Sequence, residues 1–130
     1  MDIAVGYSSI LLIDDDEDDQ EIFLTAVGEI STSATCIAYN NARIALHKLE
    51  NREISVDIIF LDLNMPIMNG EQFLIAFMKN ESLRKIPVIV LSTSSQPQAI
   101  HEVKSLGATD FITKPADYLE LKNILFTILV

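Results

Sequence analysis

Asp57-Ile58-Ile59-Phe60-Leu61-Asp62 sets four consecutive apolar residues between two aspartates. A strand with one wet face alternates apolar and polar residues. A strand without alternation is covered on both faces, as inside a parallel sheet layered between helices. Val88-Ile89-Val90-Leu91, entered through Pro87 and followed by Ser92, repeats the pattern. Together the two runs predict a doubly wound α/β fold.

Working outward, short β-branched or leucine-rich runs recur at Ile10 to Ile13, Thr35 to Tyr39, Asp57 to Leu61, Pro87 to Leu91 and Asp110 to Thr113. Helical patterns fill the gaps, giving a five-fold βα rhythm. Ile22, Phe23, Ala26 and Val27 supply the apolar stripe of the first helix; Ile44, Ala45 and Leu49 supply that of the second. Phe73, Leu74, Phe77 and Met78 have the spacing of a third stripe and read as core rather than as a docking surface. Ser94-Ser95-Gln96-Pro97 introduces a fourth helix that ends at Gly107, with a serine to cap orphan amides and proline suited to the first turn. The fifth runs from about Asp117 to the C-terminus, and its apolar end, Ile124 to Val130, is hard to bury completely. Residues 8–130 read as one domain preceded by a short extension, 1–7.

Composition narrows the partners. The 130 residues include 9 lysines and arginines against 19 acids, a net charge of -10, which opposes direct binding to nucleic-acid phosphates. No apolar run approaches the ~20 residues of a membrane span, and Met1 to Tyr7 has no signal-peptide pattern, so a cytoplasmic protein is the expectation. Cys36 stands alone within a strand pattern and reads as a small core hydrophobe. His47 and His101 read as surface groups.

In open parallel sheets, functional groups collect beyond the carboxyl ends of the strands. Asp14 and Asp15 follow the first strand, Asp62 the third, Ser92 and Thr93 the fourth, and Lys114 the fifth. With the common strand order 2-1-3-4-5, the first and third strands are neighbours and three carboxylates meet within reach of one ion. Oxygen ligands without a His or Cys cluster match Mg2+, and Mg2+ beside a nucleophilic aspartate points to phosphoryl chemistry. Each residue also has a plainer use. Acids after a strand favour the next helix dipole, Ser92 can bond backbone, and Lys114 can pair with Asp62. The coincidence of all four strand ends carries the functional reading.

Ile10-Leu11-Leu12-Ile13-Asp14-Asp15-Asp16, Phe60-Leu61-Asp62-Leu63-Asn64-Met65-Pro66 with Asn69-Gly70, Pro87 to Ser92, and Gly107-Ala108 through Lys114-Pro115 closely resemble the receiver domains of bacterial response regulators. The resemblance spans nearly the whole chain. It is nearest to the stand-alone type similar to chemotaxis and phytochrome-associated receivers, and it implies the flavodoxin-like (βα)5 fold.

The resemblance implies that Asp62 takes a phosphoryl group from a sensor histidine kinase or histidine phosphotransfer protein. It implies direct ligation of Mg2+, or Mn2+, by Asp15, Asp62 and the Asn64 carbonyl, with Asp14 acting largely through water. Ser92 and Phe111 become the switch, Lys114 and Ser92 the catalytic partners of the phosphoryl group, and Asn64 and Ser94 the positions that tune autodephosphorylation. The readout face becomes helix four, strand five and helix five, where a downstream protein or a second copy would dock. Such a domain is no conventional enzyme, although it catalyses its own phosphorylation and dephosphorylation. A cis bond is expected at Lys114-Pro115. Serine at 92 and phenylalanine at 111 depart from the commoner threonine and tyrosine, without removing a required group.

Other readings stay open at the level of residues. A phosphorelay intermediate would use the same site. A Mg-dependent aspartyl-phosphate hydrolase would want a second acid near Asp62, where Asn64 stands instead. A flavodoxin-like cofactor binder would want a hydroxyl- or glycine-rich first loop, where Asp14-Asp15-Asp16 stands instead.

Overall fold

The computed structural model describes residues 6–93 and 96–130. Five strands and five helices alternate: β1 Ser9–Ile13, α1 Glu17–Ile30, β2 Thr35–Tyr39, α2 Ala42–Glu50, β3 Ile58–Asp62, α3 Gly70–Met78, β4 Val88–Ser92, α4 Pro97–Ser105, β5 Asp110–Thr113 and α5 Tyr118–Leu129. The strands form one parallel sheet in the order β2-β1-β3-β4-β5.

The unbroken apolar runs are explained by two cores, one on each face of the sheet. Leu11, Ile13, Ile59, Leu61, Val88 and Val90 point toward α2, α3 and α4, meeting Leu46, Phe73, Phe77 and Val103. Their alternates Ile10, Leu12, Ile58, Phe60, Ile89 and Leu91 point toward α1 and α5, meeting Phe23, Val27, Leu125 and Leu129. Successive side chains of a strand face opposite ways, so a doubly covered strand must be apolar at every position. Phe23 and Phe60 meet edge to face with ring centres 5.0 Å apart, tying α1 to the central strand. Across the α1–α5 seam, the Tyr118 hydroxyl donates to the Glu29 carboxylate, which also accepts from Lys122 at 3.1 Å.

The helix starts fix the loops that leave the strands. Asp16 caps α1 by accepting from the Asp19 N–H, and Asp117 caps α5 by accepting from the Glu120 N–H. Asn69 and Gln72 cap α3 reciprocally, each side chain accepting from the other's backbone N–H. Gly107 ends α4 at φ +115, a conformation that suits glycine.

Several expectations are corrected. Ile22 and Ile44 lie outside the buried stripes of their helices, which run through Phe23, Ala26, Val27 and Ile30 in α1 and through Ala42, Ala45, Leu46 and Leu49 in α2. Gln96 is the N-cap of α4 and makes no side-chain cap bond; Ser94 and Ser95 lie outside the described residues. Lys114-Pro115 is trans rather than cis. Trans is the lower-energy isomer by about 0.5–1 kcal/mol, and the chain passes from β5 to α5 in that form while the Lys114 N–H bonds the Ser92 carbonyl at 2.7 Å. The apolar C-terminal end divides: Leu125 and Leu129 are buried, Phe126 and Val130 exposed. Cys36, in β2, is half-buried, and burial pushes its thiol up to about 12.

Candidate functional site

Three strand ends carry the site. β1 and β3 are hydrogen-bonded neighbours, so Asp14, just beyond β1, and Asp62, the last residue of β3, emerge side by side. One carboxylate oxygen each from Asp14, Asp15 and Asp62 lies within 4.8 Å of the others. Asp14 and Asp62 are buried, and Asp15 is exposed. β5 delivers Lys114 from the far side of β4, where the Ser92 carbonyl holds its N–H.

Each carboxylate is anchored differently. Asp14 accepts from the Asp16 N–H through Oδ1 and from Lys114 Nζ through Oδ2, both at 3.0 Å. Among the described residues, Asp62 accepts only a long bond, 3.4 Å, from the Asn64 N–H to Oδ1. Lys114 Nζ stands 3.8 Å from Asp62 Oδ2, an ion pair without a hydrogen bond. The β3–α3 loop keeps this edge open: an open cleft of about 460 Å3 runs past Asn64, Met65 and Asn69 to Ser92.

Charge crowding is written into the acidities. Burial raises the Asp62 carboxyl to about 6, with Lys114 pulling it down and Asp14 pushing it up. Burial also raises Asp14 above its ordinary value, against the bonds from Asp16 and Lys114. Burial lowers Lys114, but hydrogen bonds to Asp19 and Asp14 outweigh it, and the ammonium is held above its usual range. Two buried carboxylates beside an exposed third, offset among the described residues by one ammonium, make an anionic pocket of hard oxygens. That donor set suits a divalent cation such as Mg2+ or Mn2+.

The residues expected from the sequence fall into place unevenly. Asp14, Asp15, Asp62 and Lys114 converge. Ser92 is fully buried at the end of β4 and lines the same cleft as Asn64. Phe111 is half-buried against the core beneath α2, α3 and α4, one strand away from the acidic pocket. Ser94 lies outside the described residues. Sequence reasoning missed Asp19, whose Oδ2 accepts from Lys114 Nζ at 3.0 Å, as close as Asp14. Its position three residues after the Asp16 cap, on the turn facing the strand ends, was the available signal. His47 stays on α2, away from the acidic pocket.

Comparison with known proteins agrees with this geometry. The family model for the response regulator receiver domain matches residues 10–126. A two-component response regulator of rice, ORR1, is 32% identical over 125 residues, covering 92% of this chain; the chain spans 54% of the length of that relative. The crystal structure of the phosphorylated cyanobacterial phytochrome response regulator RcpA superposes with a TM-score of 0.86 at 26% identity, over 95% of this chain and 91% of that one. The Mn2+-bound form of response regulator Rcp1 superposes at 0.82 with 25% identity, over 93% and 91%.

Proposed function

Because the chain belongs to the family of response regulator receiver domains, we propose that Asp62 accepts a phosphoryl group from a phosphohistidine of a sensor kinase or phosphotransfer protein. The observation that carries this reading is the Asp14-Asp15-Asp62 cluster at the carboxyl edge of the sheet, with Lys114 beside it. Asp62 takes only one long hydrogen bond among the described residues. Its lone pairs are available, and the cleft beside it is open.

In the transfer, an Asp62 carboxylate oxygen bonds to phosphorus while the phosphorus–nitrogen bond of the donor breaks, and the imidazole leaves with the electron pair. Asp15, Asp62 and the Asn64 carbonyl would hold a divalent cation, with Asp14 acting through water. When bound, such an ion neutralises charge on the phosphoryl oxygens. Lys114, already 3.8 Å from Asp62, supplies positive charge of its own beside the phosphoryl group. Ser92 offers a hydroxyl to a phosphoryl oxygen, and Phe111 follows by moving further into the core it already touches. Asn64 tunes how long the adduct lasts, a role the family resemblance also gives to Ser94, which lies outside the described residues. The phosphorylated state is favoured only by the difference between its contacts and those of the resting state. The readout runs through α4, β5 and α5 to a downstream protein or to a second copy, for which the exposed Phe126 and Val130 at the end of α5 offer an apolar surface.

The test is intact-protein mass after incubation with Mg2+ and acetyl phosphate. A gain of one phosphoryl group, lost in Asp62→Asn and in the presence of EDTA, supports the reading. No gain with acetyl phosphate or with a phosphorylated histidine kinase overturns it.

A further inference from the structure

Lys114 is shared among three carboxylates, and the sharing is unequal. Its Nζ bonds Asp14 Oδ2 and Asp19 Oδ2, each at 3.0 Å, and stands 3.8 Å from Asp62 Oδ2. An ammonium has three N–H donors. Two are engaged here, and the nitrogen is held just beyond hydrogen-bond reach of Asp62.

Asp19 is built to do the holding. It lies in the first turn of α1, where its N–H is fixed by the Asp16 cap at 3.1 Å. The adjacent Gln20 amide donates to the Asp14 carbonyl at 2.5 Å, locking this turn of the helix onto the end of β1. The Asp19 side chain is 43% exposed while that of Lys114 is 19% exposed, so Asp19 draws the ammonium outward to the rim of the pocket. Without that carboxylate, Asp14 and Asp62 would be the remaining anionic partners of the ammonium, and attraction would close the gap to Asp62. A lysine bonded to Asp62 would occupy a lone pair of the nucleophile and repel a cation from the same oxygens.

We propose that Asp19 is a positioning residue for Lys114: it tethers the ammonium beside Asp62 without letting it bond there, leaving Asp62 free for metal and phosphoryl group. The inference rests on the reading of Asp62 as phosphoacceptor. It makes Asp19 a helper of phosphorylation, not a competitor that the phosphoryl group must displace.

The test compares Asp19→Asn with Asp18→Asn, an equal change of charge one residue away at a carboxylate outside the three that pair with Lys114. In a crystal structure of metal-free Asp19→Asn, Lys114 Nζ moves to about 3.2 Å or less from an Asp62 oxygen. Mg2+ affinity, followed by NMR titration, falls about tenfold in Asp19→Asn and much less in Asp18→Asn. Asp19→Glu restores most of the loss, and the effect of Asp19→Asn disappears when Lys114→Met is already present. The rate of phosphorylation by acetyl phosphate falls in parallel. Equal losses in Asp18→Asn and Asp19→Asn, a Lys114 that stays in place, or faster phosphorylation of Asp19→Asn would each overturn the proposal. If the unaltered chain takes no phosphoryl group, the phosphoacceptor reading fails, while the Lys114 position and the Mg2+ affinities still decide the role of Asp19.

Discussion

Gly70 is pressed against the end of β3: a Cβ on it would stand 2.8 Å from the Asp62 carbonyl oxygen and 2.8 Å from the Leu63 Cα. Both neighbours are backbone, so no side chain can swing away to make room. The first residue of α3 thus sets the position of the strand end that carries Asp62. Gly70→Ala is expected to cost about 1–3 kcal/mol of stability by overpacking. It should also lower Mg2+ affinity by displacing Asp62. Chemical denaturation and Mg2+ titration of the same sample check both; a variant with unchanged affinity would show that the strand end is not held from this side.

The Asp62 carboxyl, raised to about 6 by burial, gives the metal-free chain a pH signature. Below about pH 4 it is protonated in the folded and the unfolded chain alike, and the contribution to stability is fully present. As pH rises from about 4 the unfolded chain ionises first, and that stability is lost by the time pH has passed through about 6. Asp62→Asn, which cannot ionise, should therefore be more stable than the unaltered chain at pH 7, by on the order of 3 kcal/mol. The advantage should vanish near pH 4. Urea unfolding of both proteins in EDTA across this range measures it.

Asp15 is exposed, whereas its two partners in the cluster are buried. Asp15→Asn should change metal-free stability by no more than about 0.5 kcal/mol. Mg2+ at about 100 times its dissociation constant should stabilise the unaltered chain by about 2.7 kcal/mol, and Asp15→Asn should lose most of that gain. Thermal melts with and without Mg2+ separate the two effects, and EDTA should return the unaltered chain to its metal-free midpoint.

Ile67 sits at φ +70 in the loop between β3 and α3 and is 68% exposed. A β-branched residue in the left-handed region is strained, and exposure leaves it little packing to offset the strain. Ile67→Asn should stabilise the chain by about 0.5–1 kcal/mol, since asparagine tolerates this conformation. Equilibrium unfolding shows the gain, and a loss would mean that Ile67 makes a compensating contact.

The ends of β1, β3 and β4 were legible because two-sided burial makes these inner strands apolar along their length, so that the first polar residue after the run marks the edge of the sheet. Asp14, Asp62 and Ser92 stand out for this reason, whereas Lys114 follows the edge strand β5, which is polar at both ends. Helix faces were harder to read. Ile22 and Ile44 each adjoin a buried residue and have apolar neighbours at helical spacing, yet a modest rotation about the helix axis carries both outside the core. Asp19 was hidden in the run from Asp14 to Asp19, where six consecutive acids share one composition and only the cap at Asp16 separates their directions. The isomer of Lys114-Pro115 was expected by analogy, and local sequence holds no signal strong enough to fix it.

The half-buried thiol of Cys36, at about 12, has practical value. At neutral pH almost none of it is thiolate, the form that alkylating reagents attack. A cysteine introduced on α4 or α5 would therefore take a fluorophore or spin label selectively in the native chain, with Cys36 left in place. Distances between such labels could report the resting and phosphorylated shapes of the domain without first rebuilding its second strand.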